Sequence, residues 1–126
     1  MKIKDHIEKS RRIECSSGKL SRDADYEMFV ESCMLAGTHL LNAVLHGSGT
    51  TPEDYDLLHS DKPALATAVP ARVTEMMQRL KEIEDLRSGY LRGNKPWQPI
   101  HGELCACNMQ FLRACADQLL NKEAIQ

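Results

Sequence analysis

The residues from Ser32 to Thr51 include no Asp, Glu, Lys or Arg, although these four types make up 27% of the sequence. Through and just before this stretch, apolar residues recur at alternating spacings of three and four, which is typical of a helix that packs in a bundle. The pattern predicts a central helix over 26–47 that is covered on most sides by its own protein or by a partner. Its seam positions are Tyr26, Phe29, Val30, Cys33, Gly37, Leu40, Leu41 and Val44.

Gly37 lies on this seam, where it costs about 1 kcal/mol in helix propensity relative to Ala. The close approach of another helix would compensate for that cost, because a glycine leaves room for a neighbouring side chain.

A second face of the same helix carries Met28, Leu35, His39, Asn42 and His46, which fall within a sector of roughly 60°. Two uncharged faces on one helix indicate a central position or a contact with another subunit. Since buried His39 and Asn42 would need hydrogen-bond partners, and a symmetric mate can supply them, this face predicts a homodimer interface.

Three further long helices are predicted, over 2–15, from Pro70 to Leu91, and from a start between Pro99 and Glu103 to about Lys122. A short extra helix is expected from Thr51-Pro52 through Leu58, within a long connection over 48–69. No segment alternates with a period of two, so no strand is expected. The sequence therefore predicts an all-α, up-and-down four-helix bundle with one domain over 1–126.

The net charge of −2 and the pI of about 6.2 exclude a globally basic surface for nucleic acid. Residues 1–22 carry a net charge of +4, so a local contact with phosphate is conceivable, but a solvated helix face explains them as well. The N-terminal residues show no signal peptide, and the five cysteines have no framework spacing. A cytoplasmic protein with reduced thiols is expected. No membrane span is predicted, because polar residues interrupt the uncharged stretch.

No residue set has the spacing of a known metal site. No Glu stands three residues before any His, so the Glu-x-x-His pairs of di-metal bundles are absent. The densest group of ligand types is His101, Glu103, Cys105 and Cys107. On a helix, His101 and Cys105 could share one metal and Glu103 and Cys107 another, but all four cannot converge, and a second Cys pair is missing. We assign no metal and no cofactor, and interpret the two thiols as small buried residues.

His39 and His46 lie two helical turns apart, roughly 10 Å by helix rise, which is too far for joint metal coordination within one chain. A two-fold mate could bring such histidines together. With Asn42 they are candidates for a ligand site or an interface, and satisfied core or interface histidines are the preferred interpretation. The sequence contains no nucleophile elbow or phosphate-binding loop, so no catalytic residue is assigned.

The segment from Tyr90 to Trp97 places Arg92 and Lys95 beside the only Trp. Such an arrangement could stack a base and contact phosphate. Alternatively, the cations complement the end of a helix and Trp97 closes the end of the bundle.

In its length, its long and largely uncharged second helix over 26–47 and its bundle layout, the chain resembles the HEPN family of small dimeric helical domains. These domains are often linked to nucleotide or RNA handling. HEPN ribonucleases place a His four to six residues after an Arg, whereas Arg92 and His101 are separated by eight residues, so the resemblance implies a member without catalytic activity. Three hypotheses follow: a homodimeric binding or accessory module without catalytic activity, an HEPN-like nucleotide- or RNA-binding domain, and a metal-binding or enzymatic bundle that uses His39, His46 or His101.

Overall fold

The protein is an all-α helical bundle, as the hydrophobic pattern predicts. The computed structural model describes residues 1–58 and 69–124, and these residues contain no strand. The helices are α1 (Ile3–Ser17), α2 (Tyr26–Gly47), α3 (Ala71–Arg87) and α4 (Pro99–Ala124). A π-helical turn, Ser88–Arg92, extends α3, and the Gly93 amide closes it by donating to the carbonyl of Ser88.

Sequential helices run antiparallel to each other. The start of α1 meets the end of α2 through His6 and His39, while Ser17 at the end of α1 hydrogen bonds to Ser32. Arg87 at the end of α3 pairs with Glu31 near the start of α2. Similarly, Tyr90, just after α3, contacts His101 at the start of α4. These pairs define an up-and-down topology in which α2 packs against the three other helices.

The low charge of α2 is explained by its position in the core. Val30, Met34, Leu40 and Leu45 are fully buried. By length and composition alone α2 could also span a membrane, but 67% of its most apolar window is buried inside the bundle.

Gly37 lies where α2 meets both α3 and α4, so the predicted close approach is confirmed. A Cβ at this position would lie 2.7 Å from Cδ1 of Leu80 and 3.1 Å from Cδ1 of Leu112.

We expect Gly37→Val to lower the free energy of unfolding by about 2–3 kcal/mol, because the valine side chain overpacks the contact of α2 with Leu80 and Leu112. Urea unfolding measures the change. Leu35→Val, on the exposed side of the same helix, should change it by less than about 1 kcal/mol, and equal losses in the two variants would contradict the packing explanation.

The described part of the connection after α2 has no helix, in contrast to the short helix predicted through Leu58. The chain reverses at Gly49, which has a φ of 75° that favours glycine. A single turn then follows, in which the Tyr55 amide donates to the carbonyl of Pro52. The backbone of Leu57 is hydrogen bonded to α2 instead of to its own segment, which is why no helix forms here. Residues 59–68 lie outside the described part of the chain.

Candidate functional site

Three separate segments bring His6, His46 and Asp56 together at one end of the bundle. Nε2 of His6 on α1 lies 2.9 Å from Oδ1 of Asp56, and Nε2 of His46 on α2 lies 2.8 Å from the same oxygen. One ligand atom from each of the three residues lies within 4.8 Å of the other two. Both histidine side chains are buried, whereas the Asp56 side chain is 30% exposed. We call these three residues the His/Asp cluster.

Asn42 on α2 fixes the part of the connection that carries Asp56. Its side-chain amide donates to the carbonyl of Leu57 at 2.8 Å, and its Oδ1 accepts from the Leu57 amide at 2.8 Å. The same Nδ2 donates to the carbonyl of Thr38. This reciprocal pair satisfies a buried peptide group without secondary structure and places the preceding residue, Asp56, against α1 and α2.

The connection also orients His46. Nδ1 of His46 lies 2.9 Å from Oγ1 of Thr51 and 3.2 Å from the backbone carbonyl of Thr51. A proton on Nδ1 would satisfy both contacts, whereas an unprotonated Nδ1 can accept a hydrogen bond from the hydroxyl. In the first tautomer Nε2 faces Asp56 with its lone pair, and in the second Nε2 carries the proton and donates to Asp56.

His6 is held in a similar way by a second imidazole. Its Nδ1 lies 2.9 Å from Nδ1 of His39, which is half-buried on α2. As a result, each histidine of the His/Asp cluster presents Nε2 to Asp56 and has a hydrogen-bond partner on Nδ1. His39 lies next to the cluster but is not one of the three converging residues.

The electrostatics of the site favour neutral rings for His6 and His39 and a charged Asp56 carboxylate. Burial lowers the pKa of His6, although hydrogen bonding to Asp56 opposes the shift. Burial and the nearby His6 and Lys9 also lower the pKa of His39. For Asp56, burial would raise the pKa, but hydrogen bonds from His46, His6 and the Met1 amino group outweigh it and lower the pKa to about 2. At neutral pH, the Asp56 carboxylate is therefore charged and lies beside a neutral His6 ring.

Two imidazole nitrogens and one carboxylate oxygen form a donor set that zinc and non-haem iron(II) both use. Ligand atoms around a tetrahedral zinc ion are about 3.3 Å apart, so the two contacts between a histidine Nε2 and Oδ1 of Asp56 would need to open by a few tenths of an ångström. Asp56 lies on the connection and is partly exposed, which allows this adjustment. The side chains of the His/Asp cluster could thus hold one divalent cation.

The second face of α2, predicted as an interface, is divided between two environments. His46 and Asn42 are buried by α1 and the connection, and both have hydrogen-bond partners within the chain. A symmetric mate is therefore not needed to satisfy them. Met28 is 58% exposed and Leu35 is 37% exposed, and these two residues remain to support an interface. The homodimer stays a prediction.

Trp97 packs inside the end of the bundle. Its ring stacks on Tyr26 with a centroid distance of 4.9 Å and an interplanar angle of 14°, and its Nε1 donates to Asp23 at 2.9 Å. Lys95 lies over the ring of Tyr90, and Arg92 is exposed at the end of the π-helical turn. These contacts favour the alternative in which Trp97 closes the end of the bundle over the one in which it stacks a base, because one face of its ring is already covered by Tyr26.

His101, Cys105 and Cys107 do not come together. His101 hydrogen bonds to the hydroxyl of Tyr90. Cys105 is buried beside Cys33, as predicted, but the prediction of a buried Cys107 is wrong, because this residue lies on an exposed side of α4. Among residues 1–58 and 69–121, whose side chains the structure describes, the group that could hold a metal is the His/Asp cluster.

Sequence reasoning found His46 but missed its two partners. A signal for His6 existed, because Ile3, His6, Ile7, Ser10 and Ile13 together follow the helical period of a buried face. No comparable signal marked Asp56, which lies in a polar segment where a short helix was expected. The contact of Asp56 with His6 and His46 depends on the hydrogen bonds between Asn42 and Leu57, which sequence spacing does not encode.

Comparison of the chain with family models, curated proteins and solved structures finds no significant match. The class that the fold and the site define is a helical bundle with a His/Asp cluster at one end, and the HEPN resemblance stays a prediction.

Proposed function

We propose that the protein binds one divalent transition-metal ion between His6, His46 and Asp56. The observation that carries the proposal is the approach of two imidazole Nε2 atoms to one carboxylate oxygen, at 2.9 and 2.8 Å. With the proton of His46 on Nδ1, its Nε2 and the carboxylate are two acceptors in contact, and they repel unless a positive charge lies against both. A metal cation supplies that charge. Two explanations without a metal compete with this one: a second proton on His46, or a single proton on Nε2 that is donated to Asp56 while Nδ1 accepts from the Thr51 hydroxyl.

The surroundings of the His/Asp cluster resemble those of metal ligands in general. Such histidines donate the other ring N–H to a carboxylate, carbonyl or water, which fixes the ring and its tautomer. Thr51 provides such an acceptor for His46. Both rings are buried, and the partly exposed Asp56 forms the side from which an ion could enter. Of the three hypotheses from the sequence, these observations favour the metal-binding bundle, with His6 and Asp56 as ligands beside His46 in place of His39 and His101.

We expect the protein, purified without chelators, to contain about one equivalent of zinc or iron by elemental analysis. In calorimetric titration of the metal-free protein with zinc chloride, Asp56→Asn should weaken binding by at least about 100-fold, because loss of a ligand exceeds the 10–100-fold effect of an outer-shell change. Asp54→Asn is the matched control: it removes the same charge from an exposed position in the same connection.

The absence of stoichiometric metal together with no measurable zinc binding would overturn the proposal. Equal losses in the two variants would also overturn it, because they would indicate general attraction to a negative loop. In either case, the cluster would be a hydrogen-bond network that holds the connection on the bundle.

A further inference from the structure

His39 has no place among the three converging ligands, yet its ring contacts the His/Asp cluster directly. Its ring centroid lies 5.2 Å from that of His6, with the two planes tilted by 47°. The contact between the rings joins Nδ1 to Nδ1 at 2.9 Å, a hydrogen-bond distance. His39 comes from α2 and His6 from α1, so the pair also joins these two helices.

Two neutral imidazoles that face each other through Nδ1 can hold only one proton between them. If His39 donates, Nδ1 of His6 accepts, and the proton of His6 must be on Nε2, where it points to Asp56 and prevents metal binding. If His6 donates, its Nε2 carries a free lone pair, and His39 holds its own proton on Nε2. Metal binding therefore requires His39 to be the acceptor of this hydrogen bond.

We propose that His39 is a positioning residue for the metal site: by accepting the Nδ1–H of His6, it fixes the tautomer and ring orientation in which Nε2 of His6 can bind the ion. This inference rests on the proposed metal-binding function. It assigns to His39 the role that Thr51 has for His46, with an imidazole nitrogen in place of a carbonyl oxygen.

The first test compares zinc affinities of the wild-type protein, His39→Ala and His39→Asn by calorimetric titration. We expect His39→Ala to bind zinc 10–100-fold more weakly, as for loss of an outer-shell partner. In His39→Asn, the side-chain oxygen takes the place of Nδ1 as the acceptor, so affinity should stay within about threefold of wild type. His101→Ala, which changes a histidine remote from the cluster, should leave the affinity unchanged. Circular dichroism verifies that each variant is folded.

The second test reads the tautomer directly, by long-range ¹H–¹⁵N correlation spectra of the histidine rings. In the zinc-loaded protein, we expect the proton of His39 on Nε2 and that of His6 on Nδ1. A purely structural role for His39 would not fix this arrangement.

The outcomes separate the two proposals. If the wild-type protein binds no zinc, the proposed function and the role of His39 are both overturned. If the wild-type protein binds zinc and His39→Ala binds it equally well, only the role of His39 is overturned. The same conclusion follows if His39→Asn binds as weakly as His39→Ala, or if His39 in the loaded protein carries its proton on Nδ1.

Discussion

We expect zinc to raise the midpoint of thermal unfolding of the metal-free protein by about 10 °C at a free concentration 100-fold above its dissociation constant. A ligand at this excess that binds only the folded state stabilises it by about 2.7 kcal/mol, and 1 kcal/mol corresponds to about 4 °C for a domain of this length. The effect arises because the ligands lie on α1, α2 and the connection, and unfolding separates them. Differential scanning calorimetry measures the shift.

His46→Ala tests whether this stabilisation comes from the His/Asp cluster. We expect its zinc-dependent shift to disappear, because the variant lacks the buried Nε2 that faces Asp56. His101→Ala should retain the shift, since His101 contacts Tyr90 at the other end of the bundle. Comparing each variant with and without zinc removes the effect of the substitution on stability itself. An undiminished shift in His46→Ala would contradict metal binding at this site.

The fold was predictable because the apolar periodicity of this chain is continuous over whole helices. The pattern predicts α2 over 26–47, and these are its bounds in the structure. For α1 the predicted range of 2–15 ends two residues short of Ser17. For α3, the apolar positions continue with regular spacing to Tyr90, and they predicted one helix to Leu91. They did not indicate that the last turn, Ser88–Arg92, is π-helical. Periodicity reports which face is buried, and it is insensitive to the exact hydrogen-bond spacing along the backbone.

The candidate site was only partly predictable, since its residues come from segments that are distant in sequence. Spacing along α2 correctly separated His39 from His46 by two turns, and a single metal ligand from α2 is consistent with that distance. What the spacing could not show is the ring of His6, which lies between them and contacts both. Helical periodicity describes neighbours on one helix, whereas this contact depends on the register between α1 and α2.

Asn42 illustrates why the polar residues of α2 were difficult to interpret. A buried amide needs partners, and the sequence offered a symmetric mate as their source. The structure supplies them from the connection, through the backbone of Leu57. A side chain that binds a peptide group imposes no requirement on the residue type of its partner, so no sequence pattern identifies it.

The second large effect is expected for Asn42→Ala, which should lower the free energy of unfolding by about 3 kcal/mol. The variant removes both hydrogen bonds to the Leu57 peptide groups, and each buried group left unsatisfied costs about 1–3 kcal/mol. Urea unfolding of the metal-free protein measures the loss. Asn42→Asp keeps an acceptor for the Leu57 amide but turns a buried carboxylate oxygen toward the carbonyls of Leu57 and Thr38, so its loss should be at least as large as that of Asn42→Ala.

We also expect Asn42→Ala to weaken zinc binding, because the released connection carries Asp56. Asn108 provides a matched control for this effect. It is equally buried, and it joins α4 to α3 through the Arg79 carbonyl, but it lies away from the His/Asp cluster. Asn108→Ala should therefore lower stability to a similar extent while leaving zinc affinity in the folded protein unchanged. If both variants lose stability and neither loses zinc affinity, then Asn42 holds the connection on the bundle without positioning Asp56.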